Sequence, residues 1–207
     1  MDTPVIAWTH SAVKDQKVRE LLLALGEHYP IIENGKGLEL SASIGGNGLK
    51  VSVKNGRAEI TGASPSLVAR GIGALLSGVI GKNQIVHEKT AFKTVGVMLD
   101  CCRNAVMKVD YLKEWLRRAA LMGYNQMMIY TKDTYELPGE ECFGYLRGRY
   151  TAAEFREIDK YASRLGIEMV GCIQALGHLE PVLRWPRYGA IKDTSAELLT
   201  TEEKSSN

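Results

Sequence analysis

The sequence predicts an α/β protein: a small α+β N-terminal domain over residues 1–90, then the first three β/α units of a TIM-type barrel over 94–207. Three observations carry this. Before residue 90, short period-two runs separated by glycine turns are flanked by two helix-period stretches. From Thr94 on, one plan repeats three times: an apolar run, a polar tip, then an amphipathic segment. The polar residues of that second half collect directly after the apolar runs, where a β/α barrel gathers its functional groups.

In the N-terminal part, Val5–Trp8 is the apolar portion of a first strand. Val13 to Leu25 has helical spacing, with Val18, Leu21, Leu22 and Leu25 on one face and Gly26 as its stop. Gly37–Ser43 and Leu49–Lys54 alternate at period two, with Gly45 to Gly48 as the turn between them. Asn55-Gly56 predicts a second hairpin into Arg57–Thr61, because both residues tolerate the left-handed backbone of a two-residue turn. Ser64-Pro65 opens a second helix, whose buried side is Leu67, Val68, Ile72, Leu75, Leu76 and Val79. Gly71, Gly73 and Gly78 weaken that helix and allow close packing. Two helices covering one face of an antiparallel sheet would be a complete two-layer unit.

The second half opens with Val95–Leu99 as a buried strand, followed by a helix from Val109 to Met122 with Leu112, Trp115, Leu116 and Ala119 inward. Gln126–Tyr130 is the next strand. The segment from Thr131 to Tyr150 is long for a loop and therefore a functional candidate. Thr151 and Glu154 form a capping box for a helix with Phe155, Ile158, Ala162 and Leu165 inward. Ile167–Ile173 is the third strand. A doubly wound dinucleotide fold would need a glycine-rich turn after the first strand, and Cys101 to Asp110 contains no glycine. The barrel's polar tips are Asp100 and Arg103; Lys132, Asp133 and Glu136; and Gln174, His178 and Glu180. A polar helix is expected to start at Thr194.

Charge and composition narrow the function classes. A net charge of +2 gives no electrostatic footprint for nucleic acid. The N-terminus has no basic n-region followed by an apolar core, so it does not read as a secretory signal, and no apolar run is long enough to span a bilayer. Cys101, Cys102, Cys142 and Cys172 form no CxxC pair, which predicts free thiols and a cytoplasmic setting. His10, His28 and His87 lack metal-ligand spacing, so neither metal nor cofactor is expected. Several residues admit two readings. Asp100 either pairs with Arg103 or meets a substrate. Tyr130, Tyr135, Phe143 and Tyr145 either stack on a bound ring or pack the long loop, and Trp185 is open in the same way. Arg147 and Arg149 resemble phosphate binders or brace the loop through salt bridges, the second reading being the safer.

The stretches TVGVMLDCCRN, YLKEWLRRAALMGYN, QMMIYTKDTYEL, YLRGRYTAAEFREIDKYASRLGIEM and QALGHLEPVLRWPRYG resemble family 20 glycoside hydrolases, the β-N-acetylhexosaminidases. The likeness covers nearly all of 94–195. The second tip reads DTYE where HLTDD is commoner, and the third reads QALGH where PEIDMPGH is usual. The resemblance implies that Arg103 holds hydroxyls of the terminal sugar and that Asp133 and His178 support the catalytic acid. It implies a substrate-assisted retaining mechanism, in which the acetamido oxygen attacks the anomeric carbon. The aspartate that orients the acetamido group and the glutamate that protonates the leaving oxygen are an Asp-Glu pair after strand four. No Asp-Glu dipeptide occurs in the chain, and 94–207 is less than half of the about 250 residues of a closed barrel. The expectation is therefore an inactive fragment with no catalytic residue of its own. Its partner would be an N-acetylhexosamine-containing glycoside, with self-association through exposed barrel edges and no nucleic-acid or membrane partner. A non-catalytic carbohydrate-binding or assembly module is the alternative.

Overall fold

The computed structural model describes residues 3–103 and 105–198. The first elements are β1 (Ile6–Trp8), α1 (Gln16–Gly26), β2 (Ile31–Glu33), β3 (Leu38–Ile44), β4 (Leu49–Lys54), β5 (Arg57–Gly62), α2 (Pro65–Leu76) and β6 (Gln84–Glu88). Then come β7 (Gly96–Asp100), α3 (Val109–Met122), β8 (Gln126–Lys132), α4 (Ala152–Arg164), β9 (Glu168–Ile173) and α5 (Glu180–Leu183), with a 3-10 turn at Pro186–Tyr188.

Two compact units result. Among the described residues the first comprises 3–97, 110–127 and 159–168; the second comprises 98–103, 105–109, 128–158 and 169–198. They cut across the sequence boundaries at 90 and 94, because most of α3 and the end of α4 belong with the N-terminal sheet.

In the first unit a six-stranded sheet runs β2-β1-β3-β5-β4-β6. It is mixed, whereas the sequence suggested antiparallel pairing. β1 is parallel to β2 and β3, and β3 is parallel to β5, while β4 is antiparallel to β5 and β6. The Asn55-Gly56 hairpin forms as expected, with φ of 50° and 76° at its two corner residues. Gly45–Gly48 does not close a hairpin. Strand β5 lies between β3 and β4, and the loop passes over its end, with Gly45 N–H donating to Gly62 O and Ala63 N–H to Gly48 O. Two strand spacings are about 10 Å, which four residues cross easily.

Helix α1 starts at Gln16, three residues later than the apolar period suggested, because the Asp15 side chain caps it through Lys17 and Val18 N–H. Ser64 caps α2 by accepting from Leu67 N–H. Alternation along β4 and β5 turns Leu49, Val51, Val53, Ala58 and Ile60 into the core, where they meet Val68, Ile72 and Leu75. A Cβ at Gly71 would fall 3.0 Å from Ile60, and one at Gly73 would fall 2.1 Å from the Leu121 carbonyl. The first glycine seats α2 on the sheet and the second seats it on α3. Val79 lies beyond the helix and is exposed, against expectation.

The second sheet has the order β7-β8-β9. Its strands run the same way. Asn125 N–H donates to Val95 O at one end, and Cys101 N–H donates to Tyr130 O at the other. The Thr151–Glu154 box is complete: Glu154 N–H donates to the Thr151 hydroxyl at 3.1 Å, and Thr151 N–H donates to the Glu154 carboxylate at 2.7 Å. In the second unit Phe143, Leu179, Val182, Leu183 and Tyr188 form a small core. The polar helix expected from Thr194 has no counterpart in 194–198, and its remainder, 199–207, lies outside the described residues.

Candidate functional site: a cleft at the strand tips

At the end of β7 the chain folds back on Asp100. Its Oδ1 accepts Cys102 N–H at 3.0 Å and Arg103 N–H at 3.1 Å, and its Oδ2 accepts from Arg103 Nη1. These donors, Cys102 N–H foremost, hold the Asp100 carboxyl well below the usual carboxylate range. Arg103 is thus a fixed cation rather than a free one. Its guanidinium carbon stands 5.2 Å from the centroid of the Tyr130 ring. The Tyr130 hydroxyl in turn accepts from Gln174 Nε2 at 3.0 Å. One chain of contacts therefore ties together the tips of β7, β8 and β9.

These groups line a cleft of about 370 Å³ together with Met98, Cys102, Lys132, Cys172 and His178. Period-two alternation selects them: Met98 from β7, Tyr130 and Lys132 from β8, and Cys172 from β9 stand on one face of the sheet, and Gln174 follows directly after β9. That rule applied to the sequence would have added Met98 and Cys172 to the candidates. Cys102 was hidden, because it follows the strand and its place depends on the Asp100 turn. Burial first, then the neighbouring Asp100, push the Cys102 thiol up.

Of the residues singled out in the sequence, Arg103, Lys132, Gln174 and His178 line this cleft. His178 is exposed and has φ of 57°. Asp133 is 1% exposed and does not line the cleft; its Oδ1 accepts from Arg147 Nη1 at 2.9 Å. Glu136 borders a separate hollow in the long loop. Glu180 is the first residue of α5.

The long loop is packed rather than open. Arg149 donates to Phe143 O, Tyr135 meets Phe143 edge-on at 4.9 Å, and Tyr145 meets Trp185 at 5.3 Å. Tyr188 donates to Glu140 at 2.6 Å. Burial, then the hydrogen bond to the Glu140 carboxylate, raise the Tyr188 phenol to about 12. Tyr135 and Phe143 therefore resolve to packing, while Tyr130 stays at the cleft. Tyr150 pins the base of the loop by donating to Met107 O at 2.6 Å. Among the described residues no group of three His, Cys, Asp or Glu side chains is arranged to hold a metal ion, and no helix is long and apolar enough to cross a membrane.

No family model and no curated protein matches the sequence. Solved structures do match its fold. A GH20 exo β-N-acetylglucosaminidase from Vibrio harveyi, in complex with N-acetylglucosamine, aligns with a TM-score of 0.76 at 14% identity, over 100% of this chain and 40% of that one. A mutant Streptomyces plicatus β-hexosaminidase in complex with product (GlcNAc) gives 0.72 at 16%, over 98% and 51%. The GH20 β-N-acetylhexosaminidase from Streptomyces coelicolor A3(2) gives 0.67 at 17%, over 95% and 48%. At these identities the likeness is one of fold, and the chain spans about half the length of the structures it matches.

Proposed function

We propose that the strand-tip cleft is the sugar-binding part of a β-N-acetylhexosaminidase of the family 20 type, acting on terminal non-reducing N-acetylhexosamine. The observation that carries this is the Arg103 guanidinium, held by Asp100 over Tyr130 at the cleft wall. A planar five-donor fork with one edge anchored still offers donors to a pair of sugar hydroxyls. Tyr130 lies beneath it, and Gln174 fixes the phenol. In this reading His178 reaches the leaving-group side from the third tip. Asp133 acts from below, through the Arg147 pair and the turn it stabilises.

The reaction proposed is retaining and substrate-assisted: the acetamido oxygen attacks the anomeric carbon as the leaving oxygen is protonated. It needs an Asp-Glu pair, and no such dipeptide occurs among the 207 residues. The chain alone therefore binds sugar without cutting it. The same absence favours the second reading, a carbohydrate-binding module with no hydrolytic role. Four free cysteines suit the cytoplasmic setting that belongs to the proposal. Self-association belongs to it as well, through β7 and β9, which each have one strand neighbour among the described residues. A chromogenic N-acetylglucosaminide tests the proposal. The purified chain is expected to release no chromophore. Turnover abolished by Arg103→Ala would overturn the assignment of the acid to an Asp-Glu pair outside this sequence.

A further inference from the structure

Binding a neutral sugar leaves a charged side chain of the cleft without a task. Lys132 lines it and has φ of 53°, a left-handed backbone that favours glycine or asparagine over lysine. The surrounding turn holds it there. Thr134 N–H donates to Thr131 O at 2.8 Å, and the Thr134 hydroxyl lies 2.7 Å from that carbonyl and 2.9 Å from Cys101 O. Both chain neighbours of Lys132, Thr131 and Asp133, are buried, so the backbone that carries the lysine is held at the cleft wall.

Its ammonium has no counter-charge among the described residues. There the Lys132 side chain has neither a hydrogen bond nor an ion pair, and no carboxylate lines the cleft. The other fixed cation, Arg103, already has Asp100 as its counter-charge. Hydroxyls alone use such a site poorly, whereas an oxyanion makes a charge-assisted hydrogen bond with the ammonium.

We propose that the cleft takes an N-acetylhexosamine carrying an oxyanion substituent, with Lys132 as its counter-charge; this rests on the sugar reading given above. A sulfate ester, a phosphate ester and a carboxylate share this chemistry. Affinities of the 207-residue chain are measured calorimetrically for N-acetylglucosamine, its 6-sulfate, its 6-phosphate, N-acetylmuramic acid (the carboxylate-bearing form) and inorganic sulfate. The proteins are wild type, Lys132→Gln and Lys132→Gly, the last because glycine suits the left-handed backbone and separates lost charge from lost folding. At least one anionic sugar is expected to bind about fivefold tighter than the neutral one at low salt, and its rank names the substituent. The advantage shrinks as salt screens it and disappears in both variants. If N-acetylglucosamine binds and no anionic form binds better, or the advantage survives in Lys132→Gly, the Lys132 assignment is overturned and the sugar reading stands. If no sugar binds, both fall. Inorganic sulfate binding as tightly as the sulfated sugar would also overturn it, since the cleft would then read the oxyanion alone.

Discussion

Asp100 accepts three hydrogen bonds from the two residues Cys102 and Arg103, and the last of them comes from the Arg103 guanidinium itself. The carboxylate is thus both the turn that ends β7 and the anchor of the cleft's arginine. Asp100→Asn separates these two jobs, because an amide oxygen still accepts the backbone N–H groups while the amide nitrogen cannot accept from Arg103. The unfolding midpoint is expected to stay nearly constant, since the pair is largely solvent-exposed. Affinity for N-acetylglucosamine is expected to fall several-fold. The Asp100 carboxyl is depressed in the folded state, so its contribution is present above the ordinary carboxylate value of about 4 and is lost only as pH falls through the lower folded value. A drop in sugar affinity between pH 7 and pH 5 that is present in wild type and absent in Asp100→Asn would be inconsistent with this anchor.

Arg147 is expected to matter more for stability than Arg103. Its partner Asp133 is buried, and Arg147→Ala leaves that carboxylate without its ion-pair partner. The expected cost is about 2–3 kcal/mol, below that of a fully buried pair because Arg147 keeps some contact with water. Chemical denaturation measures it. Adding Asp133→Asn is expected to recover part of the loss; a double variant no better than the single one would mean the pair is not the cause.

The capping box gives a smaller, cleaner number. Thr151→Ala removes the acceptor of Glu154 N–H, for an expected loss of about 1 kcal/mol in urea unfolding. Thr151→Ser retains the hydroxyl and is expected to lose less than half as much. Equal losses would assign the effect to the threonine methyl group.

Tyr188 supplies an alkaline signature. Its phenol is raised to about 12 by burial and then by the Glu140 carboxylate. A raised folded value means the contribution is complete below the unfolded value of about 10 and disappears as pH rises through the folded one. Stability is therefore expected to decline between about pH 10 and about pH 12 in wild type. The decline should be shallower in Tyr188→Phe, as followed by thermal melts. Identical pH slopes in the two proteins would contradict this.

Local chemistry made much of the chain legible, and distant pairing hid the rest. Helix α3 has the limits the sequence suggested, because Leu112, Leu116 and Ala119 mark its period and Gly123 takes the left-handed turn that ends it. The Asn55-Gly56 turn announced its hairpin through backbone preference alone. By contrast, Gly45–Gly48 looks like any glycine turn, and nothing in it says that β5 will lie between its flanking strands. Strand β2 has three residues, and β6 carries Gln84, His87 and Glu88 at a sheet edge, so neither has a strong period. Arg117 is charged yet buried, because it donates to the Tyr161 hydroxyl from a distant helix. Arg103, Gln174 and His178 were legible at the tips, since polar residues directly after apolar strands are unusual. The burial of Asp133 was not legible, since it depends on Arg147 returning from the far side of the long loop.

The most direct test of a sugar cleft organised by Arg103 is a nitrogen-15 NMR titration of the 207-residue chain with N-acetylglucosamine. Saturable shifts are expected at the amides of Cys102, Arg103, Tyr130 and Gln174, and they are expected to vanish in Arg103→Ala while the rest of the spectrum is retained. An unchanged spectrum at saturating sugar, or the same titration in Arg103→Ala, would contradict the account.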